Sequence, residues 1–240
     1  MRKQANALFL LSMGILALLA SCTVYSPKAF KPDPSEKIRT IAILTMKDPP
    51  AYQVNFAKKV KRQVIIGGVN VSAIKGIRED INKKTTFNKF NDQLRAQHFS
   101  IAESMTYQMT KQLTASGYTV ITTYVERRGG LLSEYTNIRS AGADAFLDVA
   151  PLQVGYTEQV SGWVPFVGVK VRLVSTKSKT VLYDDKIVFF HRQENQSLWP
   201  NAKYRFNDSS LMLNNMPLAV EGFNSGSQAI AGYLVSLLRQ

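Results

Sequence analysis

The spacing of hydrophobic and polar residues changes along the chain, and each pattern predicts a different element. Residues 38–46 read IRTIAILTM, a run rich in β-branched residues that Asp48-Pro49-Pro50 ends, so we predict a first strand there. Ser100 and Glu103 form a capping-box pattern that predicts the start of a helix. Apolar residues then recur at every fourth position on one helical face: Ile101, Met105, Met109 and Leu113. Gly117 is expected to end this helix.

The second half of the chain alternates strands with helices. We predict, in order, strand 118–125, a short helix 133–141, strand 143–158, a hairpin of strands 168–174 and 181–190, and a closing helix 220–238. Pro151 lies inside a predicted strand, where proline is confined to an edge or a bulge. Residues 162–167 (GWVPFV) and 195–217 are expected to be loops.

Residues 51–97 follow neither period clearly. The stretch VIIGGVNV is compatible with two short strands around Gly67-Gly68, or with a helix end followed by an apolar run. Ten basic and three acidic residues lie between Asn55 and Arg95, so most of the excess positive charge of the chain is here. We interpret residues 51–97 as a basic insertion, either a binding surface or a solvated and mobile segment.

The elements run β-α-β-α-β-β-β-α, which predicts an α/β two-layer sandwich with a mixed sheet. From residue 114 on, ASGYTVITTYVERRGGL, AGADAFLDVAPLQVGY, VKVRLVSTKSKTVLYDD and the closing helix resemble the periplasmic domain of CsgG-like lipoproteins, a fold shared with the TolB amino-terminal domain. The hairpin turn Lys177-Ser178-Lys179 lacks the glycine often found in that family, and the basic insertion also departs from its pattern. The resemblance implies a role beside an envelope machine, in secretion, export or wall synthesis.

The amino-terminal segment is typical of a bacterial lipoprotein signal. Arg2 and Lys3 precede an apolar run at residues 7–19, which is short for a membrane-spanning helix. Leu19-Ala20-Ser21-Cys22 then resembles the lipobox, and Cys22 is the single cysteine of the chain. The resemblance implies cleavage before Cys22, a diacylglycerol on its thiol and an acyl chain on its amino group, and two or more acyl chains anchor a protein stably. The alternative is an uncleaved helix, or an ordinary signal peptide with a chance cysteine.

We therefore expect a signal peptide at 1–21, a lipidated cysteine with a polar, proline-containing tether at 22–37, and one periplasmic domain at 38–240. Thr23 follows the cysteine in place of the aspartate that retains enteric lipoproteins in the inner membrane, so the resemblance implies the periplasmic face of the outer membrane. Loss of Arg2 and Lys3 lowers the formal charge from +13 to +11. Anionic lipid, a wall polymer or an acidic protein suits this charge, whereas nucleic acid is not expected in the periplasm. A generally basic surface is the simpler alternative.

No catalytic motif stands out, so we expect a protein that is not an enzyme and holds no metal or separate cofactor. His98 and His191 lie far apart in sequence, and no paired carboxylates stand at metal-ligand spacing. The candidate partner-binding residues belong to the apolar loop, the basic insertion and the end of strand 118–125: Trp163, Phe166, Lys58, Lys59, Lys61, Arg62, Arg127 and Arg128. Trp163 and Phe166 could equally fold back onto the core.

The sequence thus predicts an outer-membrane-anchored accessory or assembly factor of an envelope protein complex. A CsgG-like oligomeric pore is an alternative, in which VIIGGVNVSAI and WVPFVGVKVRLV would form spanning hairpins. An anionic-glycan-binding module is another. Whether the chain is a homo-oligomer stays open.

Overall fold

The computed structural model describes residues 30, 37–57, 65–66, 69–139, 141–190, 198 and 200–239. The strands in these ranges are β1 (Thr40–Leu44), β2 (Gln53–Asn55), β3 (Ile65–Ile66), β4 (Val69–Asn70), β5 (Thr119–Thr123), β6 (Ala145–Gln159), β7 (Gly162–Ser175) and β8 (Val181–Phe189). The helices are α1 (Val71–Ala96), α2 (Ile101–Ala115), α3 (Ser209–Asn214) and α4 (Met216–Leu238). The signal segment, Cys22 and most of the tether lie outside the described residues.

The predicted class is confirmed: helices pack on a mixed, open sheet. Its strands run in the order β5-β1-β6-β7-β8, and β2 also pairs with β6. β1 is parallel to both β5 and β6, whereas β6, β7 and β8 form an antiparallel meander. β6 pairs with β1 over residues 145–147 and with β2 over residues 155–157. The register shifts between Pro151 and Gln153, so the proline lies beside a bulge, one of the two settings predicted for it.

Helices cover one face of the sheet. The four apolar residues predicted to line α2 are all buried, and they pack on β-strand residues such as Ile43 and Leu147. Ser100 caps the helix through a hydrogen bond from the Glu103 N–H, 3.1 Å long, and Gly117 follows its end with a φ of +88°. Both end signals read from the sequence are therefore confirmed.

Glycine lets α4 approach the sheet closely. A Cβ on Gly226 would lie 2.8 Å from Val167 Cγ2 and 2.9 Å from Phe189 Cδ1, and one on Gly222 would lie 2.5 Å from the Tyr156 hydroxyl. These distances are shorter than packed carbon and oxygen atoms tolerate. The two glycines therefore set how deeply the helix packs on β6, β7 and β8.

The basic insertion is part of the core at its carboxyl end. Residues 65–66 and 69–70 form the antiparallel pair β3–β4, one of the two alternatives, and α1 follows directly. Phe90 and Leu94 of α1 are buried in the main core. Asn91 accepts a hydrogen bond from the Tyr52 N–H at 2.8 Å and donates to the Tyr52 carbonyl at 2.9 Å. The helix is thus fastened to the backbone that leads into β2.

An irregular segment covers the other face of the sheet. We name residues 124–143 the strap; of these the structure describes 124–139 and 141–143. Leu132 and Tyr135 of the strap pack on a small apolar cluster that includes Leu44, Phe146 and Val174. The short helix predicted at 133–141 is wrong, because residues 133–139 form turns and bends. The segment is held by side-chain contacts with the sheet and not by the backbone hydrogen bonds of a helix.

The predicted loop at 162–167 is also wrong. These residues are the first part of β7, which runs unbroken from Gly162 and pairs with β6 along its length. Pro165 lies within the strand, and the apolar side chains around it are buried on both faces. Burial on both faces removes the polar alternation that marks a half-exposed strand, so the pattern was ambiguous.

Candidate functional site

A buried ion pair lies between the strap and the sheet. The Arg127 side chain is 4% exposed, Asp148 of β6 is fully buried, and Nη2 of the arginine lies 2.8 Å from Oδ1 of the aspartate. Arg127 Nη1 also donates to the carbonyl oxygens of Gly130 and Val149, at 3.0 and 3.4 Å. Arg127, predicted as a candidate partner-binding residue, therefore connects the first turn of the strap to the middle of β6.

The second oxygen of Asp148 holds the rest of the strap. Oδ2 accepts hydrogen bonds from the Leu132 N–H and from the Tyr135 hydroxyl, each 2.8 Å long. Burial and the bond to this carboxylate raise the pKa of Tyr135 above its ordinary value. Asp148 is thus held by a cation and two donors, and it is fully buried beneath the strap.

A second ion pair flanks the first on the same face. Arg172 of β7 donates through Nε and Nη2 to Oδ2 of Asp184 on β8, at 2.8 and 2.6 Å. Arg172 Nη1 also donates to the Leu132 carbonyl, at 3.3 Å. The strap is thus bonded to two neighbouring strands, β6 through Asp148 and β7 through Arg172, and Asp184 of β8 holds Arg172 in turn. The arrangement is therefore suited to fixing the strap on the sheet and not to acid–base catalysis.

The aromatic residues predicted to bind a partner are inside the domain. Trp163 is 3% exposed, exchanges main-chain hydrogen bonds with Phe206 and packs edge-on against the Phe56 ring, 4.9 Å between centroids. Phe166 is also buried. Docking through these two rings stays a prediction, and it would require the surrounding residues to move.

The predicted basic residues divide into two groups. Lys58, Lys59, Lys61, Arg62 and Cys22 lie outside the described residues. Arg128 is exposed in the strap, and the described part of α1 exposes Lys84 and Lys89. No ion pair joins either lysine to a described acidic residue. The outer face of α1 is thus the described surface that best represents the basic insertion.

Sequence reasoning missed a groove between α2 and α4. Two adjoining cavities of about 460 and 450 Å³ share Gln112, whose amide donates to the Gln228 carbonyl at 2.7 Å. The charged residues that line them are Lys111 and Arg239, and none of the lining residues is acidic. The signal was present in the helical spacing, since polar and small residues follow one side of the buried stripe on each helix: Gln108, Lys111, Gln112, Ser225, Gln228, Ala229, Gly232 and Ser236.

The part of the chain that the structure describes contains no group of three histidine, cysteine or acidic side chains able to hold a metal. No helix in those ranges is both long and apolar enough to span a bilayer. The described residues of the two stretches considered as pore hairpins lie in β3, β4 and the start of α1, and in β7.

Comparison with known proteins gives distant structural likenesses. No protein-family model and no curated protein matches the sequence. The chain is similar to a DUF330 protein of Xanthomonas campestris (9% identity, 91% of this chain and 98% of that chain, TM-score 0.36). It is also similar to a lipoprotein of Neisseria meningitidis (12% identity, 76% of this chain and 94% of that chain, TM-score 0.31). A third likeness is to the LpoB C-terminal domain of Salmonella enterica (8% identity, 65% of this chain and 85% of that chain, TM-score 0.16). At these TM-scores the likenesses carry no argument, and the resemblance to CsgG-like domains stays a prediction.

Proposed function

We propose that this chain is a lipid-anchored envelope protein whose α/β domain acts as a non-enzymatic binding subunit of a protein complex. The observation that carries the proposal is Leu19-Ala20-Ser21-Cys22 at the end of a basic and then apolar segment. Residues 23–39 separate Cys22 from β1, and fully extended they span at most about 60 Å. The domain would therefore stand away from the bilayer, within reach of a neighbouring complex.

The carboxylates of this part of the sheet serve the structure more than they suit catalysis. Asp148 and Asp184 are each engaged by an arginine, and Asp144 accepts hydrogen bonds from the main-chain N–H groups of Arg39 and Thr40, both 2.8 Å long. These carboxylates hold the strap and the start of β1. A general base needs a free lone pair directed at a substrate proton, so their geometry fits a structural role.

The lipid anchor is tested with Cys22→Ala in the native host. Wild-type chains should incorporate radiolabelled palmitate and sediment with the outer membrane in a density gradient, whereas the variant should lose both properties. Ser21→Ala is the matched control, because a small residue before the cysteine keeps the motif. Unlabelled wild-type protein, or a Cys22→Ala variant that still carries label, would contradict the anchor. Sedimentation with the inner membrane would contradict only the proposed location.

The partner role is tested separately, through the exposed face of α1. Crosslinking in intact cells followed by affinity purification should recover one envelope complex, and Lys84→Glu with Lys89→Glu should reduce that recovery at least several-fold. Lys37→Glu with Lys177→Glu changes the net charge equally at other exposed positions and serves as the control. Deleting residues 55–95 is unsuitable, because Phe90 and Leu94 belong to the core. If both double variants recover equally less of the complex, α1 is rejected as the contact surface.

One observation favours a second candidate function, the binding of an anionic wall polymer. The groove between α2 and α4 exposes amides beside Lys111 and Arg239, with no acidic lining residue. Tyr107, 63% exposed, lies one turn before Lys111 on α2. Anionic wall fragments should raise the melting temperature of the wild-type chain but not that of Lys111→Glu. Neutral fragments of equal length are the control for charge.

A further inference from the structure

β5 leaves one side of the sheet open in the described structure. It pairs with β1 on one side, and no described strand lies on the other. The Thr119 N–H donates to the Arg39 carbonyl and the Thr123 carbonyl accepts from the Thr45 N–H, so odd-numbered residues direct their main-chain groups inward. Because neighbouring residues alternate, the N–H and C=O groups of Val120 and Thr122 point away from the sheet.

The sequence of this edge contains none of the features that normally protect one. Residues 118–124 read YTVITTY, without a charge, a proline or a glycine, although proteins usually place lysine, proline or a bulge at an open edge. Tyr124 is 81% exposed. The opposite edge differs, because β8 carries two aspartates and Lys186, and the Phe190 N–H just beyond it donates to the Leu198 carbonyl.

We propose that the β5 edge pairs with the β5 edge of a second copy of this chain, antiparallel and about a two-fold axis at Ile121. This register overlaps all five residues of the strand. Val120 and Thr122 of each chain would then exchange both main-chain hydrogen bonds with Thr122 and Val120 of the other, using the groups that point outward. Ile121 would face its own copy as a non-hydrogen-bonded pair.

The side chains match in the same register. Tyr118 and Val120 pack with the helix-side core, and Ile121 packs with the strap-side cluster, so alternation places Tyr124 on the face of Tyr118. The register sets Tyr118 of one chain opposite Tyr124 of the other on that face. Cross-strand aromatic pairs stabilise sheets, and this pair would cover the exposed Tyr124 ring.

A second copy fits this edge better than the chain's own tether does. Residues 23–37 contain Pro27, Pro32 and Pro34, and each proline removes a ladder N–H and interrupts a strand. A partner protein would need a neutral β-branched strand of matching length. The second copy supplies that strand by symmetry, as isologous interfaces do.

The test uses cysteine variants of the full-length lipidated chain, oxidised in membranes. Cα atoms in a non-hydrogen-bonded pair are about 4.5 Å apart, which is within the range of a disulfide, about 4.4–6.8 Å. Ile121→Cys should therefore form a disulfide dimer. Thr119→Cys alone and Thr123→Cys alone should not, because each would sit four residues from its own copy, but the two co-expressed should. The wild-type chain, whose single cysteine is Cys22, is the control for disulfides formed by that residue.

A second pair of variants separates pairing from folding. Thr122→Pro removes only an outward N–H, so it should keep the wild-type melting temperature and abolish the dimer in crosslinking and in analytical ultracentrifugation. Thr122→Val keeps the N–H and should stay dimeric. The proposal is overturned if Ile121→Cys remains monomeric while it reacts with a maleimide. It is also overturned if Ile121→Cys links to a different protein, or if Ile121→Cys is protected from the maleimide without dimer formation, as a covering tether would produce.

Discussion

The helix-covered face of the sheet buries Ile43, Leu147 and Val169 beneath α2 and α4, whereas the strap-covered face buries Asp148 beneath Arg127 and Tyr135. On the first face, stabilisation is spread over many apolar contacts and depends on how closely the layers approach. On the second, a small apolar cluster is joined by one ion pair, Arg127–Asp148, that has lost its water. The two faces should therefore fail in different ways, and mutations can separate them.

The largest single effect is expected at Asp148. Asp148→Leu leaves Arg127 buried without its partner, and breaking a buried ion pair costs about 3–5 kcal/mol of unfolding free energy. Adding Arg127→Met should recover most of that loss, because an apolar pair of similar volume needs no solvation. Urea unfolding of the two single variants and the double variant measures the coupling. If the losses simply add, the ion pair is not the fastening that we describe.

On the helix face, Gly226→Val should cost about 1–3 kcal/mol through overpacking. The new side chain would meet Val167 and Phe189, which belong to two strands and cannot both withdraw. Gly232→Ala is the control on the same helix, since its Cβ would approach only the side-chain oxygen of Gln112, 3.0 Å away, and no core residue. That control should be neutral, or more stable by up to about 1 kcal/mol from helix propensity. An equal loss of unfolding free energy in both variants would show that the close approach of α4 to the sheet is not the cause of the loss.

Tyr135→Phe should have a smaller effect than Asp148→Leu on the same face. It removes one hydrogen bond to a carboxylate, which is worth about 1.5–3 kcal/mol, while the ring and Arg127 remain. We expect faster protease cleavage within residues 124–143 and little change elsewhere. Cleavage that rises equally throughout the chain would indicate global unfolding in place of strap release.

The smallest effect near neutral pH is expected from the buried phenols. Burial raises the pKa of Tyr52, Tyr156 and Tyr183 on the helix face and of Tyr135 under the strap above the ordinary value of 10.0. Their contribution to stability is complete below pH 10 and is lost as the pH rises through the folded pKa values. Unfolding in alkali should coincide with phenolate absorbance. Tyr135→Phe should lower the midpoint pH only through the hydrogen bond that it removes, because three of the four buried phenols are on the other face.

The sequence predicted the regular parts of the fold well, because one period determines them. The apolar stripe from Ile101 to Leu113 can be buried only as one face of a helix, and Ser100 and Gly117 mark the ends of that helix. α1 was missed although Ile74, Ile77 and Ile81, and then Phe87, Phe90 and Leu94, recur at helical spacing. Gly76, the β-branched isoleucines and Thr85-Thr86 are weak helix formers and hid that period. The strap was mistaken for a helix because its structure depends on Asp148, thirteen residues beyond Tyr135. No local pattern encodes such a contact.

The central place of β1 has a consequence for the order of folding. It lies between β5 and β6, and its partners begin at Thr119 and Ala145, so the first hundred residues cannot complete a sheet by themselves. The β6–β7–β8 meander, in contrast, is joined by short turns and closes at little entropic cost. We expect the meander to form early and β1 to dock late. An amino-terminal fragment that ends before residue 145 should therefore stay unfolded until the meander is supplied.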